Sequence, residues 1–339
     1  MGLFDGSFGK RQGTANAPPS SSRHPEGRAA LLAAFSEPSS PSRLQQAYDW
    51  HAVLGQPLHV AVRELVSEKL LEPPTLAGHI VALHSGAQLK ELAQARGLPF
   101  SGAKPKVAQR LVDADAPAML LLASAETAWT CSASGRALAD AYKARQHLAK
   151  DEAERVAREC IERGQFREAA VAVAAYESTR LFKRGIGVDW ANYDPSRDER
   201  ALVLIWNHIP GILRGLRPEA VRPLRLAASQ MFLWGAGVRR AWLERDLDTG
   251  THLGADNAAS MFVFFAYRRG QVMEYKRLPE VAAFYARQRF RVACVHDAQS
   301  CEECQRLSKR TFAFDELPEL PHVACTSAIG CRCGETSVS

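Results

Sequence analysis

The sequence predicts a mainly α, multi-domain protein, and three observations carry that expectation. Apolar residues recur at three- and four-residue spacing along most of the chain. Glycines and prolines punctuate those runs at points where helices stop and start. Strand-like alternation is confined to short stretches, the clearest being Phe290-Arg291-Val292-Ala293-Cys294-Val295-His296. A chain of 339 residues has length for two or three domains and a sizeable core.

Residues 1–41 are rich in Gly, Ser, Pro and Ala with little periodicity, and read as a mobile, disordered tail. Order is expected from near Arg43. Leu58, Ala61, Val62, Leu65 and Val66 lie on one face of a helix that ends before Pro73-Pro74. Ser85 followed by Gln88 has the spacing of a capping box, which satisfies otherwise unpaired amides at a helix start. Leu89, Leu92 and Ala93 form the apolar stripe of that helix, and Gly97 ends it in a left-handed cap. Leu98-Pro99-Phe100 carries the chain across. Ser101-Gly102 then opens a second helix with Pro105 in its first turn, where no amide is needed. Val107, Ala108 and Leu111 make its buried face and leave Lys104, Lys106 and Arg110 outside it.

These positions resemble a SAP domain, a small helical DNA-binding module. The resemblance rests on Leu89-Lys90-Glu91-Leu92, Arg96-Gly97-Leu98-Pro99, Ser101-Gly102, Lys104 and Arg110-Leu111, with Val107 where leucine is usual. It implies DNA contact through the second helix and the turn before it, by Arg96, Ser101, Gly102, Lys104, Lys106 and Arg110. Duplex is the expected form rather than single strands. A helix start with free amides and flanking lysines suits a phosphate. Without the resemblance, the same stretch is a hairpin that packs and whose lysines are merely solvated.

Trp129-Thr130-Cys131-Ser132-Ala133-Ser134-Gly135 reads as a short strand turning into a helix, and is similar to the end of a bacterial winged helix. Residues 42–135 are therefore expected to form one domain, the hairpin with winged-helix-like flanks. A helical domain is expected over 136–289. Its first two helices meet near Gly164, with Ala169, Ala172, Val173 and Tyr176 at core spacing. Gly185-Ile186-Gly187-Val188-Asp189-Trp190 breaks the pattern and fits no nucleotide-loop motif, so a turn anchored by Trp190 is expected. Helices are expected around 219–235 and 257–276, the second carrying Phe262, Phe264, Phe265 and Tyr267 into the core.

Residues 290–339 hold the densest chemistry. Cys301 and Cys304 form a C-x2-C pair, and Cys325, Cys331 and Cys333 follow beyond a loop. Two thiolates from such a turn and a second group beyond a loop meet one tetrahedral Zn2+. The preferred ligands are Cys301, Cys304, Cys325 and Cys331, with Cys333 and His322 in reserve. No thioredoxin-like βαβ pattern surrounds the C-x2-C, which disfavours a redox pair. The tail also resembles the C-terminal segment of phage head-morphogenesis proteins, through Cys301, Cys304, Leu307, Phe312, Asp315-Glu316-Leu317-Pro318, Leu320-Pro321-His322 and Cys331-Arg332-Cys333. Ser308 replaces a usual glycine, and Cys325 with five further residues separates His322 from Cys331.

Charge and targeting bound the function. A net charge of +6 permits nucleic-acid binding without demonstrating it. Arg214, Arg217, Arg222, Arg225, Arg239, Arg240 and Arg245 face only Glu219 and Glu244 between positions 212 and 245, while the tail from Asp297 is acidic. No apolar run approaches the ~18 residues of a membrane span, and the start does not read as a secretory signal. The expectation is a cytoplasmic, nucleoid-associated protein of bacterial or phage origin, with its cysteines reduced or metal-bound. It binds DNA through the hairpin and an arginine-rich helical surface, carries a structural zinc, and catalyses nothing. The C-terminal module is open to protein partners. Two alternatives stand beside it: an interaction protein of a phage-type assembly, and a zinc-dependent DNA-processing enzyme. Against the enzyme, no His-Asn-His arrangement and no clustered carboxylate set is present.

Overall fold

The computed structural model describes residues 23–185, 187–237, 239 and 241–338, with fifteen α-helices and five short strands among them. The expected mainly α class holds. The chain divides into two units between His147 and Leu148, rather than at the expected boundaries of 135/136 and 289/290.

In the first unit, α1 (Arg23–Ala34) precedes α2 (Pro41–Ala47), α3 (Trp50–Leu54), α4 (Leu58–Ser67) and β1 (Leu71–Glu72). Helix α1 corrects the expectation of a mobile tail to residue 41. Leu31 and Phe35 are 0% exposed, and Arg28 reaches Glu64 at 2.8 Å and Glu68 at 2.6 Å on and just beyond α4. The Ser/Pro/Ala background hides this, because three large apolar residues (Leu31, Leu32 and Phe35) suffice to pin so short a helix. Residues 1–22 lie outside the described residues.

Four helices then run from α5 (Leu76–Leu83) through α6 (Gly86–Gln94) and α7 (Lys104–Ala114) to α8 (Ala116–Ala123). The capping box forms as the spacing predicts, with the Ser85 hydroxyl accepting from the Gln88 amide and the Gln88 side chain accepting from the Ser85 amide. Gly97 takes its left-handed turn at φ 66°. Leu89, Ala93, Val107, Ala108 and Leu111 are buried together with Ile80 of α5 and Met119 of α8. The hairpin is thus the middle of a four-helix layer rather than a free-standing pair. This excursion is bracketed by β1 and β2 (Thr130–Cys131), which pair antiparallel with Leu71 opposite Cys131. Helix α9 (Ala133–Glu162) follows, and the division between the units falls within it.

The second unit continues through α10 (Phe166–Thr179), α11 (Ser196–Asn207), α12 (Pro218–Trp234), α13 (Ala255–Arg277) and α14 (Pro279–Tyr285). Phe262 and Phe265 of α13 lie in its core, as expected. Trp190 anchors its turn, stacking on Tyr193 at 4.9 Å and donating to the Arg184 carbonyl at 2.6 Å; Ile186 of that turn lies outside the described residues. Strand β3 (Arg289–Ala293), α15 (Glu302–Leu307), β4 (Thr311–Phe312) and β5 (Gly334–Val338) complete the chain, with β3 central and antiparallel to both neighbours. The cysteine-rich tail is not a separate domain. Cys304, Leu307, Phe312, Leu320, Cys325, Cys331 and Cys333 share one core with Phe262 and Met261. Among the described residues no helix is long and apolar enough to cross a membrane.

Two glycines give a paired test of the first unit. A Cβ at Gly135, in the first turn of α9, would lie 2.0 Å from the Leu70 carbonyl oxygen, whereas one at Gly86 meets nothing within 4 Å. Gly135→Ala should lower stability by about 2 kcal/mol or more as backbone is pushed aside. Gly86→Ala should be neutral or stabilise by up to ~1 kcal/mol. Urea denaturation of both variants measures the difference, and equal midpoints would contradict the packing.

Candidate metal centre

Cys301 occupies the residue before α15, and its Sγ accepts the Cys304 amide at 3.4 Å. A cysteine here does what serine or aspartate does at other helix starts. The arrangement places both sulfurs of the C-x2-C on one side. Leu307, three residues after Cys304, continues that face into the core. Glu303 and Arg306 pair on the outer side at 2.6 Å.

The second group comes from the loop before β5. Cys325 closes a turn by donating its amide to the His322 carbonyl at 3.0 Å, and Gly330 closes another onto Ser327 at 3.0 Å. Gly330 has φ 84°, and a Cβ there would strike Met261 at 2.7 Å. Glycine is therefore required for both backbone shape and space. The Cys331 amide donates to the Met261 sulfur at 3.3 Å, which seats the loop on α13. In the extended Cys331-Arg332-Cys333 run the two sulfurs share one side. Arg332 turns to Asp297, which it holds through two hydrogen bonds of 2.7 and 2.5 Å.

Five sulfurs converge. Those of Cys301, Cys304 and Cys325 lie within 4.8 Å of one another, as do those of Cys304, Cys331 and Cys333, so Cys304 belongs to both sets. Cys301 and Cys325 are 3.7 Å apart, sulfur to sulfur. A disulfide needs ~2.05 Å, whereas thiolates ~2.3 Å from a tetrahedral ion stand about 3.8 Å apart. The cluster is thus of a size to hold a metal ion. All eight cysteines are free.

Backbone donors point at these sulfurs. Burial opposes ionisation of Cys301, but the amides of Cys304 and Thr326 and the thiols of Cys304 and Cys325 together outweigh it and hold the thiol below its ordinary value. The thiols of Cys304, Cys325 and Cys333 donate to Cys331 and keep it far below the usual range, with the His322 amide adding to the effect. Cys325 is pushed up correspondingly by Cys304 and Cys331, with burial in the same direction. Cys331 also pushes up Cys304 and Cys333, with burial in the same direction, so negative charge in the cluster settles on Cys331 and Cys301. A buried thiolate such as Cys331 calls for a compensating partner.

The reserve ligand His322 stands outside the clustered groups and contributes its amide. Cys294 lines the cleft beside the cluster without joining it. Cys131 is an ordinary buried thiol, its sulfur 3.1 Å from the Leu32 carbonyl. The Asp297–Arg332 latch escaped sequence reading because its partners lie far apart in the chain. The turn-forming Asp297-Ala298-Gln299-Ser300 was the available local signal.

The hairpin residues separate into distinct jobs. Lys104 is half-buried and donates to the Val81 carbonyl at 2.6 Å, near the end of α5. Burial lowers its pKa, and Arg43 lowers it further. It is therefore a packing link, contrary to the expectation that it stands free of the buried face. Arg110 donates to the carbonyls of Pro99 at 2.9 Å and Ser101 at 2.8 Å, bracing the turn. Arg96 bonds back to Leu92 at 3.2 Å on the surface. Ser101, Gly102 and Lys106 are exposed.

The arginine-rich stretch also resolves into internal contacts. Arg217 pairs with Asp248 at 2.9 Å, Arg239 with Glu154 at 2.6 Å and Arg245 with Asp256 at 3.6 Å. Arg225 donates to the His208 carbonyl at 3.2 Å. Arg214 and Arg222 make no ion pair among the described residues, and Arg240 lies outside them.

Comparison with family models, with characterised proteins and with solved structures finds no match.

Arg332 holds the Asp297 carboxyl well below the usual carboxylate range. Such a depressed value contributes stability above the unfolded value of about 3.9, and the contribution is lost only as pH falls through the lower folded value. In Arg332→Gln, Asp297 should titrate close to the ordinary value and acid unfolding should begin at higher pH. Carboxyl NMR titration with an acid-unfolding curve checks this. An unchanged Asp297 titration would show that the latch does not form.

Proposed function

We propose that this protein binds DNA through the α6–α7 hairpin, and that one zinc ion held by tail cysteines fixes the end of the second unit. One observation carries the DNA reading. Helix α7 begins with no side-chain cap, behind an exposed Ser101-Gly102-Ala103 turn. Pro105 has no amide and the Lys106 amide bonds to the Ala103 carbonyl at 2.9 Å, so it is chiefly the positive end of the helix dipole there that suits a phosphate. Nothing crowds the turn, since no atom lies within 4 Å of where a Gly102 Cβ would be. Arg96 and Lys106 stand exposed beside it, while Arg110 shapes it from behind. In the second unit Arg217, Arg239 and Arg245 are paired with acids and Arg225 with a carbonyl, while Arg214 and Arg222 stay exposed, so the hairpin is favoured for its open helix start rather than for its charge.

Zinc is the favoured ion because the donor set is all sulfur, buried and of tetrahedral size. Cys301, Cys325 and Cys331 receive amide donors, and Cys304 belongs to both sulfur sets. This favours Cys301, Cys304, Cys325 and Cys331 as the resting ligands. A shell filled by four thiolates has no open position for catalysis, so the ion is structural.

Fluorescence anisotropy with a labelled duplex across several salt concentrations tests the DNA reading. Arg96→Gln with Lys106→Gln should weaken binding by about tenfold at moderate salt. The log–log salt slope should fall by about 1.8, at ~0.9 per lost phosphate contact. Lys104→Gln should chiefly lower stability. Unchanged affinity and slope in a folded Arg96/Lys106 variant would reject the hairpin as the contact. Native mass spectrometry should find one zinc per chain.

A further inference from the structure

A tetrahedral shell takes four sulfurs, and this tail gathers five. The extra sulfur is not a rim residue. Cys333 is 2% exposed, as are Cys325 and Cys331, and Cys304 is 3% exposed, whereas Cys301 is only half-buried. Cys304 lies within 4.8 Å of all four other sulfurs, with Cys301 and Cys325 in one trio and Cys331 and Cys333 in the other. Four ligands drawn from both trios can therefore keep Cys304, Cys325 and Cys331 and take either Cys301 or Cys333 as the fourth. Cys301 and Cys333 also line the same small cleft.

We propose that Cys333 is a replacement ligand: the ion held at rest by Cys301, Cys304, Cys325 and Cys331 exchanges Cys301 for Cys333, freeing Cys301 as an accessible thiol. The proposal rests on the zinc reading. In the exchange the Cys333 S–H proton passes to the departing Cys301 sulfur. A zinc–sulfur bond forms at Cys333 as the bond to Cys301 breaks. Ligand number and net charge are unchanged, and no oxidant or reductant enters. Arg332, fixed to Asp297, holds the Cys331-Arg332-Cys333 run in place throughout. The outcome is a modification site. The least buried of the five sulfurs becomes open to electrophiles while the ion keeps the fold closed.

The test uses full-length, zinc-loaded protein treated with iodoacetamide and followed by intact and native mass spectrometry. With Cys160 and Cys294 replaced by serine, the protein should take one carbamidomethyl group at Cys301, located by peptide mapping, and retain one zinc. In that background with Cys333→Ser added, the same alkylation should expel the zinc. Cys301→Ser should still bind one Co2+ with the charge-transfer absorption of four thiolates. The Cys301→Ser, Cys333→Ser double variant should bind at least about tenfold more weakly. Zinc lost from the Cys160/Cys294 variant in step with Cys301 alkylation overturns the exchange alone. So does a folded Cys301→Ser that loses metal as completely as Cys304→Ser. Wild-type protein that binds no zinc overturns the exchange and the zinc reading together. If Cys301→Ser fails to fold, alkylation of the Cys160/Cys294 variant decides the matter by itself.

Discussion

The second unit depends on one constraint: sulfurs from two distant chain segments must meet on the face of α13, out of water. Helix α15 brings Cys301 and Cys304, and the loop before β5 brings Cys325, Cys331 and Cys333. The two segments are held in register by β3 and β5, which pair from Arg289 opposite Val338 to Ala293 opposite Gly334. The same residues that line the sulfur cluster adjoin Leu307, Phe312 and Leu320 in one apolar core with α13. A cation at the sulfurs would thus hold the sheet, the short helix and the long helix as a single piece. Its binding free energy would be folding free energy for that piece.

Buried charges elsewhere in the second unit are likewise met by specific partners. Glu154 of α9 is 9% exposed. It accepts from Arg239 at 2.6 Å and from the Trp242 indole at 3.3 Å, with Lys150 at 3.9 Å. Glu177 is still more buried and takes Arg184 as its partner at 3.7 Å, with the Arg184 amide at 3.2 Å. A buried carboxylate without partners is strongly unfavourable, and removing one partner exposes that cost. The arginines therefore look like an excess in the sequence between 212 and 245 only because several of their acids lie outside that window. Asp248, Asp256 and Glu154 supply the missing charge from neighbouring and remote positions.

What was legible in the sequence was local. Ser85 and Gln88 three residues apart, Gly97, and Pro105 in a first turn are each decided by backbone chemistry within a few residues, and each appears where the pattern placed it. The C-x2-C pair was legible for the same reason, because its geometry is that of one helix start. Helix α1 was not, since it is held by packing on α3, by Arg28 with Glu64 and Glu68, and by Cys131 bonding to the Leu32 and Phe35 carbonyls. Nor was the tail's membership of the helical core, which hangs on contacts such as Gly330 with Met261. The five-sulfur convergence was legible as composition, but not which sulfurs share Cys304, because loop geometry sets that.

Three basic residues on α7 show why charge alone is a poor guide to a binding surface. Lys106 and Arg110 are four apart and so share a face, with Lys104 at the helix start. In the fold Lys104 reaches back to α5, Arg110 folds onto the carbonyls of Pro99 and Ser101, and Lys106 stays in solvent. On the proposed reading, a phosphate arriving at the turn would meet a surface already shaped by Arg110 and held against α5 by Lys104. Those two residues would then act on binding indirectly, by holding the turn before α7 in place. A direct contact by either would mean giving up its hydrogen bonds to backbone carbonyls. On the same reading Lys106 could meet a phosphate without such a loss, and Arg96 would give up only a surface bond to the Leu92 carbonyl, so the site would be defined less by where the positive charges are than by which of them the fold leaves uncommitted.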